Sequence, residues 1–375
     1  RSAQQAACCA RPAGRRLSCM IEPPSQAASC SPGALRVATG AALFACTNAA
    51  ATALYRRGGA SVVSLYVIRS PIVFAANVAI VALQEGTLAA TNVLLLRTGS
   101  ATATRLALTR SLLNSLKQIL LSVAFVYLTY ADAFTVFKGV GVLSTVLVAR
   151  GMLGSAEALS ERELACGALV LLGITMIAQP PALFDNAALR DQVRAPRAWL
   201  SRDEQTGQEW APRMGAGLTL AVAAGGLSAF SGALMRLLSQ AGGPHDGRTP
   251  PAMLLSFLTV TMFACNGGAH LASRLAGLAE APAWSPTAFV APSDRVDWLL
   301  IGGNCACTLG AHLATAAGYR DMRAGMVAFL QLTELPWVYL LDVLALGEPT
   351  SLLASLGSAV VFAGAVAAAL QLGKG

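Results

Sequence analysis

Residues 131–150 read ADAFTVFKGVGVLSTVLVAR, and this stretch determines the class of fold. It contains no proline, and its length matches the roughly 20 mostly apolar residues that a helix needs to cross a bilayer. One charged residue, Lys138, lies near its middle and is followed closely by Gly139 and Gly141. A charge at membrane depth costs several kcal/mol, about 3 on insertion scales, so Lys138 is predicted to have a partner or a function.

The composition extends the membrane assignment to the whole chain. Of its 375 residues, 55% are hydrophobic and 12% are charged, and the mean hydropathy is +0.58. Soluble domains carry about 25% charged residues, so this chain has too much apolar surface for a soluble protein. We therefore expect an all-α polytopic membrane protein. The net charge of +8 is spread over tails and connections, which indicates loop orientation rather than nucleic-acid binding.

The apolar stretches divide the chain into about ten transmembrane helices. The predicted spans are 35–54, 62–83, 106–128, 131–150, 163–181, 214–238, 251–273, 297–319, 324–346 and 351–371. The apolar segment 86–96 is too short to cross a bilayer. It is predicted to lie at the membrane interface between the second and third spans.

A long polar connection at 182–213 separates two groups of five spans, at 34–181 and 214–372. Their closing segments resemble each other: LGSAEALS (153–160) precedes the fifth span, and LGEPTS (346–351) precedes the tenth. An odd number of spans per repeat inverts the second copy in the membrane. The sequence therefore predicts a 5+5 inverted-topology repeat, with the substrate site near the midplane between the copies.

The N-terminal tail, residues 1–33, is rich in Arg, Ser, Ala and Pro and contains a single acid, Glu22. This composition fits an organelle transit peptide, and it fits a disordered positive tail in the cytosol equally well. The arginines of the connections favour both chain ends in the cytosol or its equivalent. The membrane itself stays open between the plasma membrane, the Golgi and the plastid envelope.

Four stretches carry a family likeness. They are VIRSP (67–71), YLTYADA (127–133), GITMIAQPP (173–181) and LTELPWVYLLDVLALGEPTSLLASLGSAVVFAGA (332–365). Together they resemble the EamA-type branch of the drug/metabolite transporter superfamily, over most of residues 35–371. The resemblance implies ten helices that carry a small metabolite by alternating access. It leaves the metabolite open, because this superfamily carries many kinds of small molecule.

A finer likeness attaches to FTVFKGVG (134–141). It is similar to the Phe-Lys-Asn setting on the fourth helix of GDP-sugar transporters, and plastid phosphate translocators also have a lysine there. The resemblance implies that Lys138 contacts a substrate phosphate. Gly139 replaces the asparagine, and VAFLQLTEL (327–335) replaces the group's Gly-Ala-Leu-Asn-Lys signature. A nucleotide-sugar or sugar-phosphate antiporter is therefore kept as an alternative.

The deep charges of the spans predict the sign of the substrate. Arg69, Lys117 and Lys138 lie within spans two, three and four, and Glu334 lies within span nine. Such residues form internal ion pairs or face a wet cavity. Three cations exceed one acid, so either a lysine is deprotonated or an anion supplies the missing charge, and we expect an anion such as a carboxylate or phosphate. A protonatable Glu334 would instead couple transport to protons.

The repeat predicts which of these charges meet. Lys138 lies 16 residues before Gly154, and Gln331 lies 16 residues before the matching Gly347. Glu334 follows Gln331 by three residues, close to one helical turn. Lys138 and Glu334 are therefore predicted on opposite walls of one cavity, where they pair with each other in the absence of substrate.

The expected site and its partners follow from these points. The predicted substrate-binding residues are Lys138, Glu334, Lys117, Arg69, Gln331 and Asn114. Asp132 and Asp342 lie toward span ends, and we expect both to reach headgroup water. The expected partners are a small-molecule substrate and membrane lipid, and a homodimer is an open alternative.

Other function classes receive little support from the sequence. The chain has no GxSxG elbow, no P-loop and no paired CxxC among its nine cysteines, so we expect neither an enzyme nor a cofactor or metal. The second class that stays open is a non-transporting scaffold or sensor with the transporter fold.

Overall fold

The chain is an integral, multi-pass membrane protein, as its composition predicts. The computed structural model describes residues 32–98, 100–127, 130–154, 161–178, 211–240, 251–275, 289–346 and 352–372, and all secondary structure in them is helical. Seven of the described helices are long and apolar enough to cross a membrane. They cover Pro32–Tyr55, Val62–Glu85, Ala133–Leu153, Ala216–Leu238, Pro251–Ala272, Arg295–Asp321 and Ala324–Ala345, the last in two parts.

The helices follow the predicted spans closely. They are α1 (Pro32–Arg57), α2 (Val62–Glu85), α3 (Thr87–Leu94), α4 (Ala101–Tyr127), α5 (Tyr130–Leu153), α6 (Glu161–Ala178), α7 (Ala211–Gln240), α8 (Pro251–Leu275), α9 (Arg295–Asp321), α10 (Ala324–Leu330), α11 (Glu334–Leu346) and α12 (Leu352–Leu372). The short α3 occupies the segment expected at the interface. The predicted tail up to residue 31 and the central connection up to residue 210 lie outside the described residues.

Three predicted spans are less apolar than the rest. At 27 residues α4 is long enough to cross a bilayer. Its polar content is the reason that it is not among the seven helices that are apolar enough. The apolar parts of α6 and α12 are shorter, at Leu164–Met176 and Ser355–Gly364. Of these three helices, α4 lines the site described below, with Arg110, Asn114, Lys117 and Gln118.

Side chains next to the helix starts satisfy backbone N–H groups that helices leave unpaired. Before α2, Ser61 and Ser64 form a reciprocal capping box. Before α9, Asp294 accepts a hydrogen bond of 2.8 Å from the backbone N–H of Asp297. This bond and the Arg57 guanidinium, 2.8 Å away, hold the pKa of Asp294 below its usual value. Arg57 therefore joins the end of α1 to the start of α9.

The ninth predicted span is interrupted. A 3₁₀ turn at Gln331–Thr333 separates α10 from α11. Pro336 lies just beyond it, and proline has no N–H to donate to the carbonyl four residues earlier, at Leu332. Within the turn, the Thr333 hydroxyl donates to the Leu330 carbonyl at 2.7 Å. A proline is a common cause of such breaks, which often mark functional positions.

The two predicted groups of five helices interleave. The most extensive contacts join α1 with α9, α4 and α5 with α7, α6 with α12, and α2 with α8. Each of these contacts links residues 34–181 with residues 214–372. At two crossings the backbones approach too closely for a side chain. A Cβ on Gly225 of α7 would lie 2.8 Å from the Phe137 carbonyl oxygen, and one on Gly173 of α6 would lie 2.7 Å from that of Gly357.

Polar residues are buried and large apolar residues face outward, which is the arrangement that a bilayer requires. Leu83 and Leu344 are 88% and 73% exposed. Asp342 is only 1% exposed, so the expectation that it reaches headgroup water is wrong. It follows Leu335 and Val338, both fully buried, at helical spacing and thus shares their inward face. The side chain of Asp132 lies outside the described part of the chain.

Candidate functional site

A cavity of about 80 Å³ lies where α1, α4, α5, α7, α9, α11 and the 3₁₀ turn meet. Among the described residues, its lining contains three Lys or Arg side chains, Arg110, Lys117 and Lys138, and one acid, Glu334. The wall also contains carboxamides, hydroxyl groups and rings: Asn48, Asn114, Gln118, Gln331, Ser228, Ser231, Thr315, Phe44, Phe134, Phe137, His312 and Tyr319. The cavity is therefore rich in hydrogen-bond donors and carries an excess of positive charge.

The central contact of the cavity is an ion pair between Lys138 of α5 and Glu334 of α11. Lys138 Nζ lies 2.6 Å from Glu334 Oε2. Glu334 is 1% exposed, and its second oxygen, Oε1, accepts a hydrogen bond of 3.2 Å from Asn48 Nδ2 of α1. The pairing of Lys138 with Glu334, predicted from the sequence repeat, is confirmed. Three helices from both groups therefore meet at one carboxylate.

Two aromatic rings lie beside the cavity lysines. Lys138 Nζ is 5.1 Å from the ring centroid of Phe134 and 5.6 Å from that of Phe137. Lys117 Nζ is 5.9 Å from the Phe137 centroid. A cation over an aromatic face gains about 0.5–2 kcal/mol, more where water is excluded. The rings thus lower the cost of holding two lysines in an apolar body without supplying a negative charge.

Several donors of the wall are left without a partner. Arg110 is 5% exposed; its Nη1 donates to the Leu254 carbonyl at 3.4 Å, whereas its Nε has no hydrogen-bond acceptor among the described residues. The same holds for Nδ2 of Asn114. No carboxylate of the described residues lies within 4 Å of Lys117. Buried donors are rarely left unpaired, so these groups are suited to a ligand that accepts hydrogen bonds.

Arg110 is the functional candidate that the sequence analysis does not identify. It lies near the start of predicted span 106–128, whereas Lys117 and Lys138 lie near the middle of their spans. A signal was present: Arg110, Asn114, Lys117 and Gln118 recur at helical spacing and form one polar stripe along α4. In a membrane helix such a stripe faces protein or water rather than lipid.

Five of the six predicted site residues come together in the cavity: Lys138, Glu334, Lys117, Gln331 and Asn114. Arg69 does not line it. Its Nη1 donates to Asn304 Oδ1 at 3.2 Å, and its guanidinium lies 4.4 Å from the Tyr66 ring centroid. Asn304 in turn donates to the Thr47 carbonyl at 2.7 Å. Arg69 thus connects α2, α9 and α1 outside the cavity wall.

No metal site emerges from the described residues, because no group of three or more His, Cys, Asp or Glu side chains lies close enough to hold an ion. No disulfide joins the cysteines in this part of the chain. His312 of the cavity wall makes an edge contact with Phe44, with ring centroids 4.9 Å apart. The donors that line the cavity therefore include lysine, arginine and carboxamide side chains.

Comparison with known proteins shows a likeness of fold and no family. No family model matches it, and no curated protein sequence matches it. Sixteen chains of solved structures match. One of them, described as "Crystal structure of protein", has a TM-score of 0.61 at 16% identity and covers 91% of this chain and 98% of that one. At this identity the likeness concerns the fold alone.

Proposed function

We propose that this chain is a secondary transporter that moves a small organic anion across a membrane by alternating access. The observation that carries the proposal is the excess of Arg110, Lys117 and Lys138 over Glu334 in one buried cavity. Desolvated cations are costly unless an opposite charge compensates them. A carboxylate, a phosphate or a phosphorylated metabolite would supply that charge and accept the unpaired hydrogen bonds of the wall.

We further propose that the two groups of five helices form an inverted repeat of the EamA type. The pattern of helix contacts supports this. If each predicted span is exchanged with the span five places away, the α1–α9 contact becomes the α7–α4 contact. Under the same exchange, the α2–α8 and α6–α12 contacts each map onto themselves. Inverted repeats of this kind hold their substrate between the copies, which is where the cavity lies.

The interrupted ninth span also supports a transport site. Discontinuous helices line the midplane sites of many secondary transporters, because their backbone groups and side chains become available to a ligand. Here the break at Gln331–Thr333 brings both Gln331 and Glu334 to the cavity wall. Its fully helical counterpart α5 contributes Lys138.

The ion pair gives a mechanism by which a substrate changes the conformation. In the empty cavity Glu334 neutralises Lys138 and links α11 to α5. An entering anion contacts Lys117 and Arg110 and then competes with Glu334 for Lys138. Displaced Glu334 keeps its hydrogen bond to Asn48 of α1. Loading therefore weakens a contact between the two halves and favours their movement relative to each other.

Two alternatives make different predictions. A nucleotide-sugar or sugar-phosphate antiporter would use the same cations and add stacking on the cavity rings. A scaffold or sensor with the transporter fold would leave the cavity without a transported ligand. Uptake by proteoliposomes separates the three, with radiolabelled malate, inorganic phosphate, glucose 6-phosphate and GDP-mannose as anionic probes and alanine as the net-neutral comparison.

We predict that Lys138→Ala and Arg110→Ala each lower uptake of the transported anion about tenfold or more, because charge-assisted hydrogen bonds contribute roughly 1.5–3 kcal/mol each. Lys138→Arg should retain part of the activity. The matched control is Arg105→Ala, since Arg105 lies on the same helix as Arg110 but is exposed. Wild-type rates for every anion in the Lys138→Ala and Arg110→Ala variants would contradict the proposal.

A further inference from the structure

Arg69 is a further buried cation that no acid balances in the described part of the chain. It is 7% exposed, and no described carboxylate lies within 4 Å of its guanidinium. Arginine stays charged in proteins, so burial does not remove the charge. One carboxamide, that of Asn304, and one ring, that of Tyr66, contact it. These groups orient the guanidinium without neutralising it.

A chain of two side chains, Tyr66 and Gln118, connects Arg69 to the cavity wall. Gln118 lines the cavity, and the Tyr66 hydroxyl donates to Gln118 Oε1 at 3.4 Å. Tyr66 also shares a hydrogen bond of 3.0 Å with the Ser122 hydroxyl. The Arg69 guanidinium lies against the Tyr66 ring, 4.4 Å from its centroid. The hydrogen bond between Tyr66 and Gln118 is long for an O–H donor.

The position of Arg69 continues the row of cations along α4. Arg110 and Lys117 are two helical turns apart, which is about 10 Å along the axis. Gln118 and Ser122 follow toward the end of α4 at Tyr127, and Ser122 contacts Tyr66 near the start of α2. Arg69 therefore lies between the cavity and the membrane face at which α4 ends and α2 begins.

We propose that Arg69 forms a second anion-binding site, on the route between the cavity and that membrane face, with Tyr66 and Gln118 separating the two sites. The inference rests on the proposed transport of an anion. Asn304 holds Nη1, which leaves the other guanidinium N–H groups for a carboxylate or phosphate, the acceptors that arginine binds best. When Tyr66 and Gln118 move apart, an anion bound to Arg69 reaches Lys117 without crossing an uncharged stretch.

A purely structural role for Arg69 is the competing explanation, because the Arg69–Asn304–Thr47 chain joins three helices. Loss of the whole side chain would damage the protein under either explanation. The informative variant is Asn304→Asp, which puts a carboxylate beside the guanidinium at the 3.2 Å contact. It occupies the proposed anion site with a fixed internal acid. Asn304→Leu is the matched control, since it removes the same donor to Thr47 without adding a charge.

The experiment measures uptake of malate, inorganic phosphate and glucose 6-phosphate by proteoliposomes, together with equilibrium binding of the transported probe in detergent. We expect Asn304→Asp to lower the maximal rate about tenfold below that of Asn304→Leu, with the binding constant within about twofold of wild type, because the cavity is intact. Arg69→Gln should be slow and Arg69→Lys partly active.

The outcomes separate this inference from the proposed function. Equal uptake by Asn304→Asp and Asn304→Leu, or equal uptake by Arg69→Gln and Arg69→Lys, would overturn the anion site at Arg69 and leave transport through the cavity intact. Wild-type protein that takes up none of the three anions would overturn the proposed transport of anions and the Arg69 site with it.

Discussion

Lys138 is stabilised by groups that act in different ways. Glu334 supplies a full opposite charge at 2.6 Å, and the rings of Phe134 and Phe137 supply weaker cation–π attraction. Asn48 donates a hydrogen bond to the second oxygen of Glu334, so both oxygens of the buried carboxylate have a partner. Such a pair is costly to break on one side, by about 3–5 kcal/mol, whereas apolar replacement of both partners is often neutral.

This asymmetry gives a prediction about stability. Lys138→Met leaves Glu334 buried without its cation and should lower the free energy of unfolding by about 3–5 kcal/mol. The double variant Lys138→Met/Glu334→Leu removes both charges and should recover most of that loss while transporting no anion. The measurement is the unfolding midpoint in detergent beside uptake by proteoliposomes. A double variant that is less stable than Lys138→Met would show that the pair is not an isolated charge balance.

At the scale of helices, the close crossings determine which elements act together. The α5–α7 crossing depends on Gly225, where an added Cβ would meet the carbonyl oxygen of Phe137, one residue before Lys138. A backbone atom cannot turn aside as a side chain can, so the helices would have to separate. The position of Lys138 in the cavity therefore depends on a small residue of the opposite half.

We predict that Gly225→Ala lowers the free energy of unfolding by about 1–3 kcal/mol, because overpacking forces α5 and α7 apart. The neighbouring Gly226 is the matched control. A Cβ there would meet nothing within 4 Å, so Gly226→Ala should be neutral or slightly stabilising through its higher helix propensity. Unfolding midpoints of the two purified variants provide the test. The close α5–α7 contact would be refuted by a Gly225→Ala variant as stable as Gly226→Ala.

At the scale of the whole molecule, helices of the two halves pack against each other throughout. A relative movement of the halves therefore involves the entire chain. The α1–α9 unit is joined near both its ends by ion pairs, Arg36 with Asp321 at 2.9 Å and Arg57 with Asp294 at 2.8 Å. Exposed pairs of this kind contribute little energy each, so they are compatible with movement. Alternating access requires that the cavity open to each membrane face in turn.

Thiol labelling tests this requirement. In a background with the nine native cysteines replaced, Gln331→Cys introduces a thiol into the cavity wall. We expect a charged, membrane-impermeant thiol reagent to label it from both faces, in proportions that shift when the transported anion is added. Gly302→Cys is the control. Gly302 is exposed on α9 within a membrane-spanning segment and does not line the cavity, so a charged reagent should not reach a thiol there. Labelling of Gln331→Cys from a single face under all conditions would contradict alternating access.

Particular residues mark how far the sequence could predict the site. The Lys138–Glu334 pair was predictable because the closing segments of the two halves align them. The burial of Asp342 depends on the rotation of α11, which nearness to a span end does not indicate. Arg69 contacts Tyr66 and Asn304 and does not line the cavity, and no pattern in the chain specifies this side-chain orientation.

The sequence by itself determined that this is a multi-pass helical membrane protein and where its helices run, because length and apolarity are local quantities that the thickness of a bilayer selects. Only the tertiary structure decided which polar groups share a cavity. It includes Arg110 and Asn48 in the wall, and it places Arg69 outside the wall, in contact with Tyr66. The physical reason is that a cavity is formed where helices distant in the chain cross. The crossings depend on packing at glycines such as Gly225 and Gly173 rather than on charge.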